Sequence, residues 1–399
     1  MKKYFGKIGA LVLAGVMAMA MSVTAFAAGT GNGSDSLCSD DTVTIKDVLK
    51  VYNPDETSVY APDVTFHYSI TAGTGDATVT DENDVQAIVL AGNWSGTNSN
   101  GTKIAVSGEP SITESVAYTR DNTLAADDEG AANEKIITVN FEKVTFPKPG
   151  IYRYKITRTT IDTNNVLESK ENVTRYFDVY VKEKNSTCTI YGYILHDISS
   201  DISKTSTTKY NNFTSEYKTS NLTVGKTLVN DATMNGHQFP FSVSFVNTKN
   251  AHIMVDPNEG VAGKATAAAM DAGATTSAPT IANEGIVKYI GIPNGFTSTV
   301  YETNDVTGTT YKSEATADNT VIAKNIIWTT EGDANKSNDA TTSAAKDQTK
   351  TIAFTNTLEV ISPTGLFLRF TPFLVIIGAA VLLLLVSRRR GTKKAAGRI

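Results

Sequence analysis

Val144-Thr145-Phe146-Pro147-Lys148-Pro149-Gly150-Ile151-Tyr152-Arg153-Tyr154-Lys155-Ile156 reads as a turn feeding a strand. Two prolines fix φ and remove backbone donors, and the glycine after them accepts a turn conformation, so Pro-Lys-Pro-Gly ends whatever precedes it. Beyond it Tyr152, Tyr154 and Ile156 take every second position, with Arg153 and Lys155 between. That is the period of a half-buried strand. The same alternation appears at Thr42-Val43-Thr44-Ile45-Lys46, Val64-Thr65-Phe66-His67-Tyr68-Ser69-Ile70, Arg175-Tyr176-Phe177-Asp178-Val179-Tyr180-Val181 and Thr189-Ile190-Tyr191-Gly192-Tyr193-Ile194-Leu195. Gly, Asn and Asp separate these runs, and helical periodicity is nearly absent between the chain's two ends. Short, evenly spaced strands of this kind indicate an all-β chain of sandwich type. One stretch, 262–278, is Ala-rich enough for a short helix, but its Gly and Thr content fits a long loop equally well.

From Asn221 the pattern begins again. Leu222-Thr223-Val224-Gly225-Lys226-Thr227-Leu228 is similar to the strand around Lys46, and Phe239-Pro240-Phe241-Ser242-Val243 to the run Phe66–Ile70. Thr351-Ile352-Ala353-Phe354-Thr355-Asn356-Thr357 is similar to Asn212-Phe213-Thr214-Ser215-Glu216. A weak internal repeat of this length indicates two tandem immunoglobulin-like β-sandwich domains, over 28–219 and 220–360.

The two ends differ in character from the middle. Lys2, Lys3 and Lys7 precede an apolar run over 8–23, and Ala25-Phe26-Ala27 offers a small-residue cleavage site. This is the layout of a secretory signal peptide over 1–27, cut between Ala27 and Ala28. At the other end, 361–399, Ile361-Ser362-Pro363-Thr364-Gly365 is followed by an apolar run over 370–386, then Arg388, Arg389, Arg390, Lys393 and Lys394. A run of about 17 residues is near the lower limit for a membrane-spanning helix. The basic tail would stay inside, leaving the rest of the chain outside. An ordinary membrane anchor is one reading. The combination also resembles the cell-wall sorting signal of Gram-positive surface proteins, usually written LPxTG. That resemblance implies cleavage by a sortase between Thr364 and Gly365, with the Thr364 carbonyl passed to an amine. Ser362 stands where the family usually has Pro, which leaves the particular sortase open.

Composition excludes several classes. The formal net charge is −5, and no basic run lies in the exported part, so nucleic-acid binding has no support. Two cysteines and four histidines are too few and too scattered for a metal site. No nucleophile–base pair, paired-acid motif or cofactor motif points to an enzyme, and no cofactor is expected.

Lys226, Glu302 and Asn356 each fall mid-strand among apolar neighbours. Singly, each reads as a solvated strand face. Together they fit formation of an amide bond between side chains. Burial lowers a lysine's pKa and frees the amine to attack, and a buried carboxyl is able to hold a proton and assist. Attack on the Asn carboxamide expels ammonia and replaces a buried charge with a neutral amide. With these residues in view the chain resembles the major, or backbone, pilin subunits of Gram-positive bacteria, which carry isopeptide-linkage domains. The resemblance covers nearly the whole mature chain. It implies Lys226 on a first strand, Asn356 on a last strand and Glu302 as the assisting acid. Closing so long a loop would stabilise by about 5 kcal/mol on the chain-entropy account.

The first half departs from that pattern. Lys46 is the best match for its lysine, with Lys50 second, but Arg158 stands at the Glu position and Ser215 at the Asn position. Neither supports the bond, although Asn211 or Asn212 would serve if the register slipped. Cys38 and Cys188 are expected to pair as a disulfide in an exported protein.

The function implied is that of a structural shaft subunit, joined head to tail by a sortase to copies of itself, with minor tip or base pilins and peptidoglycan as further partners. The membrane holds only the precursor. The acceptor amine is expected at Lys209 or Lys204. The rival reading is a monomeric wall-anchored adhesin, which needs the same signals and no acceptor lysine.

Overall fold

The computed structural model describes residues 38–358, with interruptions chiefly at 81–85, 161–165, 168–172, 197–208, 247–250, 258–267, 273–276, 304–310, 329–333 and 338–348. Both chain ends, with the signal-peptide and sorting-signal expectations, lie outside the described residues. Among the described residues no helix is long and apolar enough to cross a membrane.

The principal strands are, in chain order, β1 (Thr42–Tyr52), β2 (Val64–Ala72), β3 (Gln86–Ala91), β4 (Ser115–Tyr118), β5 (Ala131–Asn140), β6 (Gly150–Thr160), β7 (Thr174–Lys184), β8 (Thr187–His196) and β9 (Asn212–Val229). They continue as β10 (Phe239–Val246), β11 (Ala251–Pro257), β12 (Ala268–Ala272), β13 (Ile286–Pro293), β14 (Thr297–Thr303), β15 (Tyr311–Ala317), β16 (Thr320–Trp328), β17 (Ala334–Ser337) and β18 (Thr349–Leu358). Within 262–278, the helix expected as one option is not formed over 268–272. Those residues pair antiparallel with β11 as β12, extending that sheet by one strand.

Two sandwiches result. In the first, β5, β1 and the front half of β9 face a sheet ordered β4-β2-β6-β7-β8. Leu49, Val51, Ile137, Phe213 and Tyr217 from one side meet Phe66, Tyr152, Tyr154, Ile156, Phe177 and Val179 from the other. In the second, β11, β13, the rear half of β9, β18 and β15 face β10, β14 and β17. Its core is built from Leu222, Val224, Val287, Tyr289, Ile352, Phe354, Phe241, Val243, Phe245 and Val300.

β9 is shared. Its 18 residues run parallel to β1 as far as Lys218 and parallel to β18 from Asn221 onward. In the front half the odd-numbered residues are buried, and from Leu222 the even-numbered ones are. The change of phase falls at a register irregularity between Ser220 and Leu222. An irregularity of this kind turns the buried face of a strand over, because side chains alternate with period two. The position expected to join the two domains, 219/220, therefore lies inside one continuous strand.

In each sandwich the last strand lies beside the first and runs parallel to it. The pairing sets Asp47 opposite Phe213 in one and Lys226 opposite Phe354 in the other.

Candidate functional site

The second core holds a polar cluster that alternation places there. Lys226 follows Leu222 and Val224 on the inward face of β9. Asn356 follows Ile352 and Phe354 on β18, and Glu302 follows Ser298 and Val300 on β14. Parallel pairing sets Lys226 beside Phe354, so Asn356 stands two residues along the neighbouring strand on the same face. Glu302 comes in from the opposite sheet, where it pairs with Phe241. Two strands of one sheet and one of the other thus bring together the three residues expected from the sequence.

The contacts converge on one oxygen. Lys226 Nζ lies 2.8 Å from Glu302 Oε1, with both side chains fully buried. Asn356 Nδ2 donates to the same Oε1 at 2.9 Å. The lysine amine also sits over the Phe239 ring, 4.5 Å from its centre. Burial pulls the Lys226 pKa down to about 8, against the opposing pull of the Glu302 charge and its hydrogen bond. An amine with such a pKa is neutral for an appreciable part of the time at neutral pH, and a neutral amine is a nucleophile. The arrangement therefore brings together an amine, a carboxamide and a carboxylate that contacts both.

The sequence reading missed Ser313. It alternates inward with Tyr311 and Ala315 on β15, pairs directly with Asn356, and donates its hydroxyl to Asn356 Oδ1 at 2.7 Å. The alternation Tyr-Lys-Ser-Glu-Ala would have placed it inward. Nothing in it marks a serine as a partner of Asn356.

The equivalent place in the first sandwich carries different chemistry. Asp47, not Lys46, takes the inward position. Lys46 points the other way, half exposed, in an ion pair with Glu134 at 2.7 Å. The reason is the strand period, since Val43, Ile45, Asp47, Leu49 and Val51 share one face of β1. Arg158 enters from the facing sheet beside Tyr68, as Glu302 does beside Phe241. Its Nη1 donates to Asp47 Oδ2 at 3.0 Å, with both side chains fully buried. Its Nη2 donates to the Thr214 carbonyl at 3.1 Å, and the Tyr68 hydroxyl donates to the same Asp47 oxygen. The guanidinium lies 4.8 Å from the Phe66 ring centre, as the amine does over Phe239. Ser215, 2% exposed, stands two residues past Phe213, where Asn356 stands past Phe354. The first sandwich thus has acid where the second has base, base where the second has acid, and a hydroxyl in place of the carboxamide. Asn212, offered as a substitute for the missing Asn, is partly exposed and opposite Lys46 on the outward phase.

Of the two cysteines expected to pair, Cys38 has its side chain outside the described residues. Cys188 is a free thiol at the edge of the first core, opposite Glu183 in the β7–β8 hairpin, and burial pushes its pKa up. Cys38 is placed on a two-residue strand paired to the start of β1. The backbone of Lys209 pairs with His196 at the outer edge of β8. Lys204 lies outside the described residues, as do Ala27, Ala28 and the segment 361–365.

No family model matches the chain, and no curated protein matches its sequence. Among solved structures it is similar to a major pilin from Streptococcus pyogenes, at 17% identity over 80% of this chain and 99% of that one, with a TM-score of 0.44. A second major pilin of the same organism, T-13, is 18% identical over 80% of this chain and 100% of that one, with a TM-score of 0.40. A pilus-presented adhesin is similar over 46% of this chain and 36% of its own, at 17% identity and a TM-score of 0.24.

Proposed function

We propose that this chain is a structural subunit of a covalently assembled surface fibre, whose second sandwich closes its own isopeptide bond between Lys226 and Asn356. The observation that carries the reading is the meeting of Lys226 Nζ and Asn356 Nδ2 on Glu302 Oε1 in a fully buried core. In the reaction the neutral amine attacks Asn356 Cγ. Glu302 accepts the proton that the amine sheds and delivers it to Nδ2, the Cγ–Nδ2 bond breaks, and ammonia leaves. A buried charged pair is exchanged for a neutral amide, whose burial costs far less.

The sequence signals supply the rest of the reading. Export would remove 1–27. A sortase would cut between Thr364 and Gly365 and join Thr364 to a lysine of the next copy, with Lys209 first and Lys204 second as acceptors. Head-to-tail joining of this kind builds an open fibre. Intact-mass measurement of the exported chain tests the cross-link: a loss of about 17 Da, absent from Glu302→Ala, is expected, since amide formation expels ammonia. Electrophoresis of wall extracts tests assembly. A ladder that disappears when Thr364 and Gly365 are replaced supports the fibre subunit, and a single band would favour a monomeric wall-anchored adhesin.

A further inference from the structure

The Asn356 carboxamide is gripped at both ends. Its Nδ2 faces Glu302 Oε1 at 2.9 Å, and its Oδ1 receives the Ser313 hydroxyl at 2.7 Å. The two contacts come from opposite sheets, β14 and β15, so they fix which end of the amide faces which group. A carboxylate that accepts from Lys226 needs a donor from the amide, which places the amide nitrogen toward Glu302 and the carbonyl oxygen toward Ser313. Ser313 is fully buried, between the inward side chains of Tyr311 and Ala315. A hydroxyl in such a place is unfavourable unless it is hydrogen-bonded, and Asn356 Oδ1 is its acceptor.

We infer that Ser313 is a catalytic residue of the cross-linking reaction, donating the hydrogen bond that stabilises negative charge on Asn356 Oδ1 as the lysine amine adds. The inference rests on the cross-link reading above and divides the labour within it. When Nζ bonds to Cγ, the carbonyl π electrons move onto Oδ1, the atom that Ser313 already touches. Glu302, on the far side, is left to carry the proton from Nζ to Nδ2. The intermediate then collapses, the C=O bond re-forms, ammonia departs, and Ser313 remains bonded to the carbonyl oxygen of the new amide. A fixed donor aimed at an oxygen where charge develops, in a dry core, requires no reorganisation during the step. In the first sandwich Ser215 takes the place of the carboxamide itself.

The test is a time course. The full chain is made by cell-free synthesis, sampled at intervals, denatured and weighed for loss of about 17 Da, with circular dichroism to confirm folding. Ser313→Ala is expected to slow the loss by about 100-fold, the usual effect of removing one oxyanion donor. Ser313→Cys, close in size but a weaker donor, is expected to fall between serine and alanine. Should Ser313→Ala fail to fold, the Cys variant alone decides: slower loss supports the role and the wild-type rate overturns it. If the wild-type chain cross-links and the folded variants do so at its rate, the role of Ser313 is overturned while the cross-link stands. If the wild-type chain loses no ammonia at all, the cross-link reading fails and this inference falls with it.

Discussion

Lys226 and Asp47 occupy matching inward positions, and the contrast between them carries most of the site's chemistry. The core makes Lys226 reactive by disfavouring its charged form, which lowers its pKa from 10.5 to about 8. At pH 7 this raises the neutral fraction by ~300-fold over an ordinary lysine. The sign follows directly. Below the folded pKa each unit of acid removes about nine-tenths of the neutral amine, and above it nearly all of the amine is already neutral. Cross-linking should therefore speed up about tenfold per pH unit up to about pH 8 and then level off. Sampling ammonia loss after synthesis at several pH values checks this, and a flat profile from pH 6 to 8 would rule out the amine as the titrating nucleophile.

Much of this site was legible because Lys226, Glu302 and Asn356 each continue an apolar alternation. Its counterpart was misread by one residue. The motif around Lys46 drew attention to a lysine, but the period of β1 assigns the inward face to Asp47. Nor does anything in the sequence order show that Asp47 would meet an arginine from 111 residues away. Exchanging all three residues for those of the second sandwich, Asp47→Lys, Arg158→Glu and Ser215→Asn, should recreate the reacting set. A second loss of about 17 Da, from the second expelled ammonia, is the outcome expected by mass spectrometry.

Among the elements, β9 decides how the halves are joined. Where it changes phase, Asn53 at the end of β1 and Asn221 exchange amide hydrogen bonds, Nδ2 to Oδ1 at 2.8 and 3.0 Å. Asn53 Nδ2 also donates to Thr219 Oγ1, Thr219 Oγ1 donates to the Tyr52 carbonyl, and the Gly291 backbone N–H donates to Asn221 Oδ1. Asn53, Thr219 and Asn221 are fully buried. A strand that turns its face over leaves backbone and side-chain polar groups between two cores, and this network satisfies them. Gly291 has φ +79°, and a Cβ there would lie 2.9 Å from Val59 Cβ across the junction. The repeat in the sequence gave away the two halves. It did not disclose the continuous strand, because the polar run Thr219-Ser220-Asn221 reads as a linker until its partners are known. Asn221→Ala removes both bonds to Asn53 and the acceptor of the Gly291 N–H, and should cost about 1–3 kcal/mol. Chemical denaturation is the measurement, and a variant as stable as the parent would show that the network contributes nothing.

At the scale of the whole molecule, the two sandwiches solve one problem in two ways. Each places its last strand parallel to its first, so the two strands are held to each other by ladder hydrogen bonds and by what crosses between their inward faces. In the first sandwich that crossing element is Arg158, which bridges Asp47 on β1 to the Thr214 carbonyl on β9. In the second it would be the proposed bond from β9 to β18. An ion pair opens when the fold opens, whereas a covalent bond does not, so the halves should fail differently. Arg158→Met removes the Arg158 charge from the buried Asp47 carboxylate and should destabilise the first sandwich by about 3–5 kcal/mol, the usual effect of breaking one side of a buried pair. The second sandwich, with its own core, should be unaffected. Glu302→Ala should do the reverse. It stops the bond from forming, removes about 5 kcal/mol of loop-closure stabilisation from the second sandwich, and leaves the first unchanged. Limited trypsin digestion of each variant, with the fragments weighed, reports which half opened. Cleavage of the same half in both variants would show that the cores unfold as one unit, and the separate roles of ion pair and cross-link would have to be given up.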